Sequence, residues 1–412
     1  MHHFQPKDGL LYAEDVPVTE LVERFGSPLY VYSAATFRRH FQQFDSAFAD
    51  LDHMVCFSVK ANGNVHVLKM LAEQGAGMDI VSGGELHRAL AAGVEPKKIV
   101  YSGVGKTEAE IRYAVEQDIL MFNVESLPEL EEIERVAGAL GRKAGVSLRI
   151  NPDVDPKTHP YISTGMKNNK FGLEMGQALE GYRLAQRMEH VEPIGVDCHI
   201  GSQLTTIEPF MEALDKVLDF EKNLRAEGIG LRYIDLGGGL GITYNEEAPP
   251  HPKEFGAAIV GRLKNEGLKL ILEPGRVISG NAGVLLTKVT YVKKTPFKNF
   301  IIVDAAMNDL VRPSLYQSYH RITPAKQSDR PEIVVDVVGP ICESGDFLAK
   351  ERSLPEVEAG EILAVFSAGA YGFTMSSNYN ARLRAAEVIV DGDKTILARR
   401  RETYEDLVRG EL

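Results

Sequence analysis

The chain has 412 residues, enough for two domains, because single hydrophobic cores tend to divide beyond roughly 250 to 300 residues. Hydrophobic residues make up 44% and charged residues 25%, with Gly (38) and Pro (20) near average, which excludes a disordered or low-complexity chain. A net charge of -12, from 46 basic and 58 acidic side chains, repels a phosphate backbone, and no long uncharged apolar run is present, so small-molecule partners are favoured over nucleic acid or membrane.

The start, MHHFQPKDGL, has no apolar signal region. Three widely spaced cysteines, Cys56, Cys198 and Cys342, suit neither a disulfide framework nor a zinc ribbon, and together with that start they point to a reducing, cytoplasmic setting. The first 30 or so residues hold a short helical stretch and then SPLYVYS, an extended segment expected to add a strand to a later domain. From about residue 54, short runs rich in Val and Ile alternate with stretches of helical period, the signal for repeated βα units. The expected strands are 54–60, 78–82, 98–103, 119–124, 146–150, 194–200, 233–238 and 268–274. Eight consecutive units over roughly 220 residues suit a closed (β/α)8 TIM-like barrel better than an open doubly wound sheet.

Between the fifth and sixth strands, NPDVDPKTHPYISTGMKNNKFG (151–172) is too long and polar for a plain connection, and marks a candidate lid or interface loop. After residue 280 the texture turns to β-rich runs separated by turn residues, the sign of a second, all-β domain. The expected division is therefore 1–30 as a segment joining the β domain, 31–280 as the barrel, and 281–412 as the C-terminal β domain.

Barrel active sites form at the C-terminal strand ends, where Lys60, His199, Gly237, Gly238, Gly239 and Glu273 fall. Lys60 ends the apolar run CFSVK, where an ammonium is costly to desolvate unless something uses it. A desolvated lysine is a good amine nucleophile, suited to condensation with an aldehyde cofactor such as pyridoxal phosphate. DLGGGLG (235–241) offers consecutive glycines whose amides can approach a phosphate, although such a stretch also serves as a plain tight turn. Glu273, in EPGR, is placed to hold a proton on a pyridine nitrogen or to pair with Arg276.

His199, in CHIGSQ, is compatible with a core histidine, a metal ligand or a flat ring stacked on a flat cofactor. The zinc spacing H-E-x-x-H is missing and no metal site is expected; stacking is the preferred role provided that a flat cofactor is bound. Asp79 either pairs with an ammonium or simply ends the second strand. In the β domain, RPSLY (312–316), CESGD (342–346) and GAYG (369–372) combine a cation, a thiol, acids and tyrosines in loop-like settings. A free cysteine is most often an inert buried thiol, but Cys342 is flanked by acids in a glycine turn, a setting in which it can move protons.

Taken together, VKAN, HIGSQ, DLGGGLG, EPGR, RPSLY, CESGD and AYGFTMSSNYN resemble the fold-type III pyridoxal-phosphate-dependent decarboxylases, over nearly the whole chain. The resemblance implies pyridoxal 5'-phosphate as cofactor, with Lys60 as the lysine that holds its aldehyde and His199 as the ring-stacking histidine. It implies a phosphate site from Gly237, Gly238 and Gly239 with Pro274, Gly275 and Arg276, joined by Ser202 of HIGSQ, and Glu273 as the pyridinium partner. Arg276, Arg312 and Tyr316 resemble the substrate-binding set, Glu343 the acid that receives a distal ammonium, Cys342 the proton donor, and Tyr371 a tyrosine touching cofactor and substrate. The implied reaction converts meso-2,6-diaminopimelate to L-lysine and carbon dioxide, the last step of lysine biosynthesis by that route. The implied active unit is a homodimer in which Cys342 and Glu343 come from the neighbouring subunit.

Ornithine and arginine decarboxylases share the cofactor motifs, but Arg312 and Glu343 suit a distal carboxylate plus ammonium. A non-catalytic relative would be expected to lose Lys60 or Cys342, and a racemase to show a second opposed acid-base residue. Ser58, where an alanine is common before the Val-Lys pair, and Leu383 and Ala385 depart from the family pattern at positions expected to lie away from the chemistry.

Overall fold

The computed structural model describes residues 2–155 and 169–411, so most of the 151–172 loop lies outside the described residues. Eight parallel strands close into a barrel: His53–Ser58, Gly77–Ile80, Ile99–Tyr101, Met121–Val124, Ala144–Arg149, Val191–Asp197, Tyr233–Asp235 and Lys269–Leu272. The last pairs back onto the first, with Leu270 opposite His53 and Leu272 opposite Val55. Inside, Cys56, Val100, Met121, Ile194 and Ile271 form an apolar cluster.

Most of these strands stop before the apolar runs that announce them. The sixth ends at Asp197 rather than at 200, the seventh at Asp235 rather than at 238, and the eighth at Leu272 rather than at 274. Lys60 is not on its strand either; it sits in the single 3-10 turn Val59–Ala61. The physical reason is common to all: pairing ends where the chain leaves the ladder for its helix, and the apolar residues beyond that point pack in turns. Side-chain caps then start several of the helices. Asn64, Ser82 and Ser126 each accept from a backbone N–H in the first turn of the next helix, and Thr107 forms a capping box with Glu110.

The chain divides into two compact units, one made of Phe41–Ile242 and Ala248–Val277, the other of the chain up to His40, Thr243–Glu247 and everything from Ile278 on. The second unit is built on a sheet running in order through Phe347–Pro355, Glu332–Val338, Asn299–Val303, Gly283–Lys294, Leu29–Ser33, Ala386–Asp391 and Lys394–Arg399. SPLYVYS thus joins the β domain: Leu29–Ser33 lies antiparallel to Gly283–Lys294 and parallel to Ala386–Asp391. Its alternate residues Leu29 and Val31 enter one core with Phe4, Leu21, Val284, Leu286, Val388 and Val390. Burying each such side chain contributes about 1.5–3 kcal/mol, which holds the N-terminal segment to residues more than two hundred positions away. Among the described residues no helix is long and apolar enough to cross a membrane.

Candidate active site

Above the apolar cluster, the C-terminal ends of the barrel strands carry polar side chains. Lys60 pairs with Asp79, whose carboxylate is fully enclosed while the lysine keeps 35% of its side-chain surface exposed. The ammonium is therefore held from below and reachable from above. Ser58, expected to lie clear of the chemistry, does not: its hydroxyl lies 2.7 Å from Asp79 Oδ2 and 2.9 Å from the Glu273 carbonyl oxygen. A strand-end serine at this position points into the barrel, where it meets the counterion of Lys60. Glu85 lies nearby in charge terms, pushed up to about 7 by burial and drawn back by the Lys60 charge.

Glu273 presents its two oxygens differently. Oε1 accepts from the Ser102 hydroxyl at 3.0 Å and the Asn123 amide at 3.2 Å, whereas Oε2 makes no hydrogen bond among the described residues. Burial, followed by the charges of Asp235 and Asp79, pushes the Glu273 carboxyl well up. Asp197 and Asp235 are pushed up in the same way, burial first, so this belt is short of positive charge as it stands. Its other cation, Arg149, is buried against Glu125 at 2.7 Å and donates to the His199 carbonyl oxygen at 3.4 Å.

The glycine turn is built tightly. Gly237 and Gly239 have φ of +62° and +119°, conformations that side-chain-bearing residues rarely adopt, and a Cβ on Gly238 would collide with the Glu273 carbonyl. Not all three amides face outward: Gly237 N–H donates to Asp235 Oδ1 at 2.9 Å and Gly238 N–H to His199 Nδ1 at 3.2 Å, leaving Gly239 without a protein acceptor among the described residues. The second bond makes Nδ1 of His199 an acceptor, so the neutral ring carries its proton on Nε2. Burial, then the charges of Arg149 and Lys60, holds that ring well below the usual histidine range, hence neutral. Arg276 donates to Ser202 Oγ at 3.0 Å, and the Pro274 carbonyl accepts from Ser58 N–H at 3.1 Å, tying the eighth strand to the first.

In the β unit, RPSLY is a short helix, Arg312–Tyr316, rather than a loop. Arg312 lies against the rings of Tyr244 and Tyr316, 5.2 and 5.7 Å from their centroids. The Ser314 hydroxyl donates to the Gly345 carbonyl at 2.6 Å, which joins this helix to CESGD. That turn is folded around Asp346, which accepts from the backbone of Met307 and of Ile341, both at 2.7 Å, leaving Cys342 and Glu343 exposed. Cys342 N–H donates to Asn380 Oδ1 at 2.8 Å and the Tyr379 hydroxyl to Glu343 at 2.7 Å. Tyr371 adopts φ of +55°, a backbone conformation that a tyrosine rarely takes.

A part-exposed lysine on an enclosed carboxylate, a neutral histidine, a glycine turn and a half-engaged glutamate at one end of a barrel define a site for an aldehyde-bearing, phosphorylated aromatic cofactor. Residues 34–280 match the model of the pyridoxal-dependent decarboxylase pyridoxal-binding domain. The chain is 54% identical to the diaminopimelate decarboxylase of Vibrio cholerae, over 97% of this chain and 96% of that one. It is 55% identical to that of Pseudomonas aeruginosa, over 100% and 99%. The crystal structure of diaminopimelate decarboxylase from Helicobacter pylori complexed with L-lysine matches with a TM-score of 0.93 at 44% identity, covering 96% of this chain and 99% of that one. The chain belongs to the diaminopimelate decarboxylase family of pyridoxal-dependent decarboxylases.

The sequence reading passed over Ser102, Asn123 and the side chain of Asp235. Ser102 follows its barrel strand, Asp235 ends one and Asn123 is the last residue but one of another, so a polar residue at the C-terminal end of an apolar run was the available signal.

Proposed function

We propose that this chain decarboxylates meso-2,6-diaminopimelate to L-lysine with pyridoxal 5'-phosphate, closing the diaminopimelate route of lysine biosynthesis, in the cytoplasm. The observation that carries the reading is Lys60, part-exposed at the barrel mouth while its counterion Asp79 is enclosed. The residues present fit the cofactor: Glu273 Oε2 and Gly239 N–H lack protein partners among the described residues, and these are the acceptor and donor that a protonated ring nitrogen and a phosphate require. Bound pyridoxal phosphate supplies an electron-poor ring that takes up the electron pair freed when carbon dioxide leaves.

In this reading Lys60 holds the cofactor's aldehyde, and Asp79 takes up the lysine's positive charge. Glu273 keeps the proton on the ring nitrogen, and neutral His199 covers a ring face without adding charge. Ser202, Gly237, Gly238, Gly239, Pro274, Gly275 and Arg276 hold the phosphate, with Arg276 also serving the substrate. Arg312 and Tyr316 bind the distal carboxylate, Glu343 binds the distal ammonium, and Tyr371 touches cofactor and substrate. Exposed Cys342 delivers the proton that replaces carbon dioxide. The active unit is a homodimer whose subunits exchange Cys342 and Glu343.

The test is carbon dioxide release with added pyridoxal phosphate from meso-diaminopimelate, ornithine, arginine and lysine in parallel. Release from diaminopimelate alone is expected; release only from another amino acid overturns the substrate assignment, and none at all favours a non-catalytic role.

A further inference from the structure

Asn123 is the penultimate residue of the fourth barrel strand, Met121–Val124, and is fully buried between the apolar Phe122 and Val124. An amide buried there is costly unless its hydrogen bonds are used. Its Nδ2 lies 3.0 Å from Ser102 Oγ, 3.2 Å from Asp235 Oδ2 and 3.2 Å from Glu273 Oε1, while its Oδ1 has no partner among the described residues. Asn123 is thus present for its donors.

Those donors close a circuit. Asp235 takes Asn123 on one oxygen and the Gly237 N–H on the other, at 2.9 Å. The Gly237 carbonyl accepts from Glu273 N–H at 2.8 Å, and the Glu273 side chain returns to Asn123. The strands involved, fourth, seventh and eighth, are not all neighbours, so the three side chains meet in the barrel interior. The backbone beneath is clamped as well: Lys106, 1% exposed and paired with Glu129 at 2.6 Å, donates to the carbonyls of Gly103 and Asn123, both at 2.8 Å. Burial, followed by the charge of Asp197 for Asp235 and of Asp235 for Glu273, pushes both carboxyls up, so donors at this point favour the charged form of each.

We infer that Asn123 is a positioning residue: it orients Glu273 so that Oε2 is left for the ring nitrogen, and through Asp235 it couples that carboxylate to the glycine turn. The inference rests on the cofactor reading above. Asn123 touches neither substrate nor cofactor in this assignment; it acts through Glu273.

The experiment measures equilibrium binding, by absorbance and fluorescence, of pyridoxal 5'-phosphate and of its deaza analogue, with C–H in place of the ring nitrogen, to the full chain stripped of cofactor. Native protein is compared with Asn123→Leu and the less apolar Asn123→Ser. Loss of one hydrogen bond to a charged group predicts that both variants lose about tenfold of the native preference for the nitrogen-bearing ring. Equal weakening of the two ligands, no weakening of either, or failure of both variants to fold makes Asn123 structural and overturns the inference. If native protein binds neither ligand, or shows no preference between them, it is the cofactor reading with its Glu273 assignment that fails.

Discussion

Lys60 and Asp79 show how one residue's setting decides its use. An enclosed carboxylate would be strongly destabilising without a partner, and the partner it has is the only end of the pair that solvent can reach. Asp309, in the β unit, is an enclosed acid of a different kind. Burial raises it to about 7, against the Ala306 N–H donated to it and the charge of Arg382. Between the ordinary carboxylate range and about 7, the folded chain holds a proton that the unfolded chain has released. Its contribution to stability therefore falls as pH rises through that window and is constant above it. Asp309→Asn removes this slope: relative to native protein, the variant gains stability from about pH 4 to about pH 7, by at most about 4 kcal/mol, read from urea unfolding at several pH values. Nothing in NDLVRP announces such an acid, because burial is not a local property. Lys60, by contrast, was legible, since a lysine closing an apolar run is conspicuous wherever the run packs.

At the scale of elements, the alternation of apolar runs and helical periods was enough to place eight strands and their helices, because both periods are local. Strand ends were less legible. In DLGGGLG the ladder stops at Asp235 and in EPGR before Glu273, since pairing depends on the neighbouring strand rather than on hydrophobicity. The helix starts have their own anchors, and Glu110 anchors two of them. Its carboxylate accepts from Gly83 N–H at 2.9 Å, at the start of Gly83–Ala91, and from Thr107 N–H at 3.0 Å, at the start of Glu108–Glu116. Glu110→Ala is expected to lower the unfolding free energy by about 1–2 kcal/mol, with the denaturant midpoint shifted and the m-value unchanged. The RPSLY helix was not legible as conformation, because a five-residue helix is too short for a periodic signal.

For the whole molecule, the proposed exchange of Cys342 and Glu343 between subunits has a direct consequence. Lys60→Ala and Cys342→Ala chains, each inactive alone, should regain up to about a quarter of native carbon dioxide release when mixed under conditions that let dimers exchange, because half the dimers are mixed and one of their two sites is intact. No recovery would place both residues in the same subunit's site. The sequence by itself determined the (β/α)8 alternation, the β-rich second half and the motif residues, because these are set by local period and by residue chemistry. Tertiary structure alone decided that SPLYVYS lies between strands that begin at Gly283 and Ala386, and that Ser58 touches the counterion of Lys60. It also decided that Asn123 meets Asp235 and Glu273, which lie 112 and 150 residues further along the chain. Contacts at that separation are fixed only when the barrel closes and turns its strand ends toward one another, and no local pattern records them.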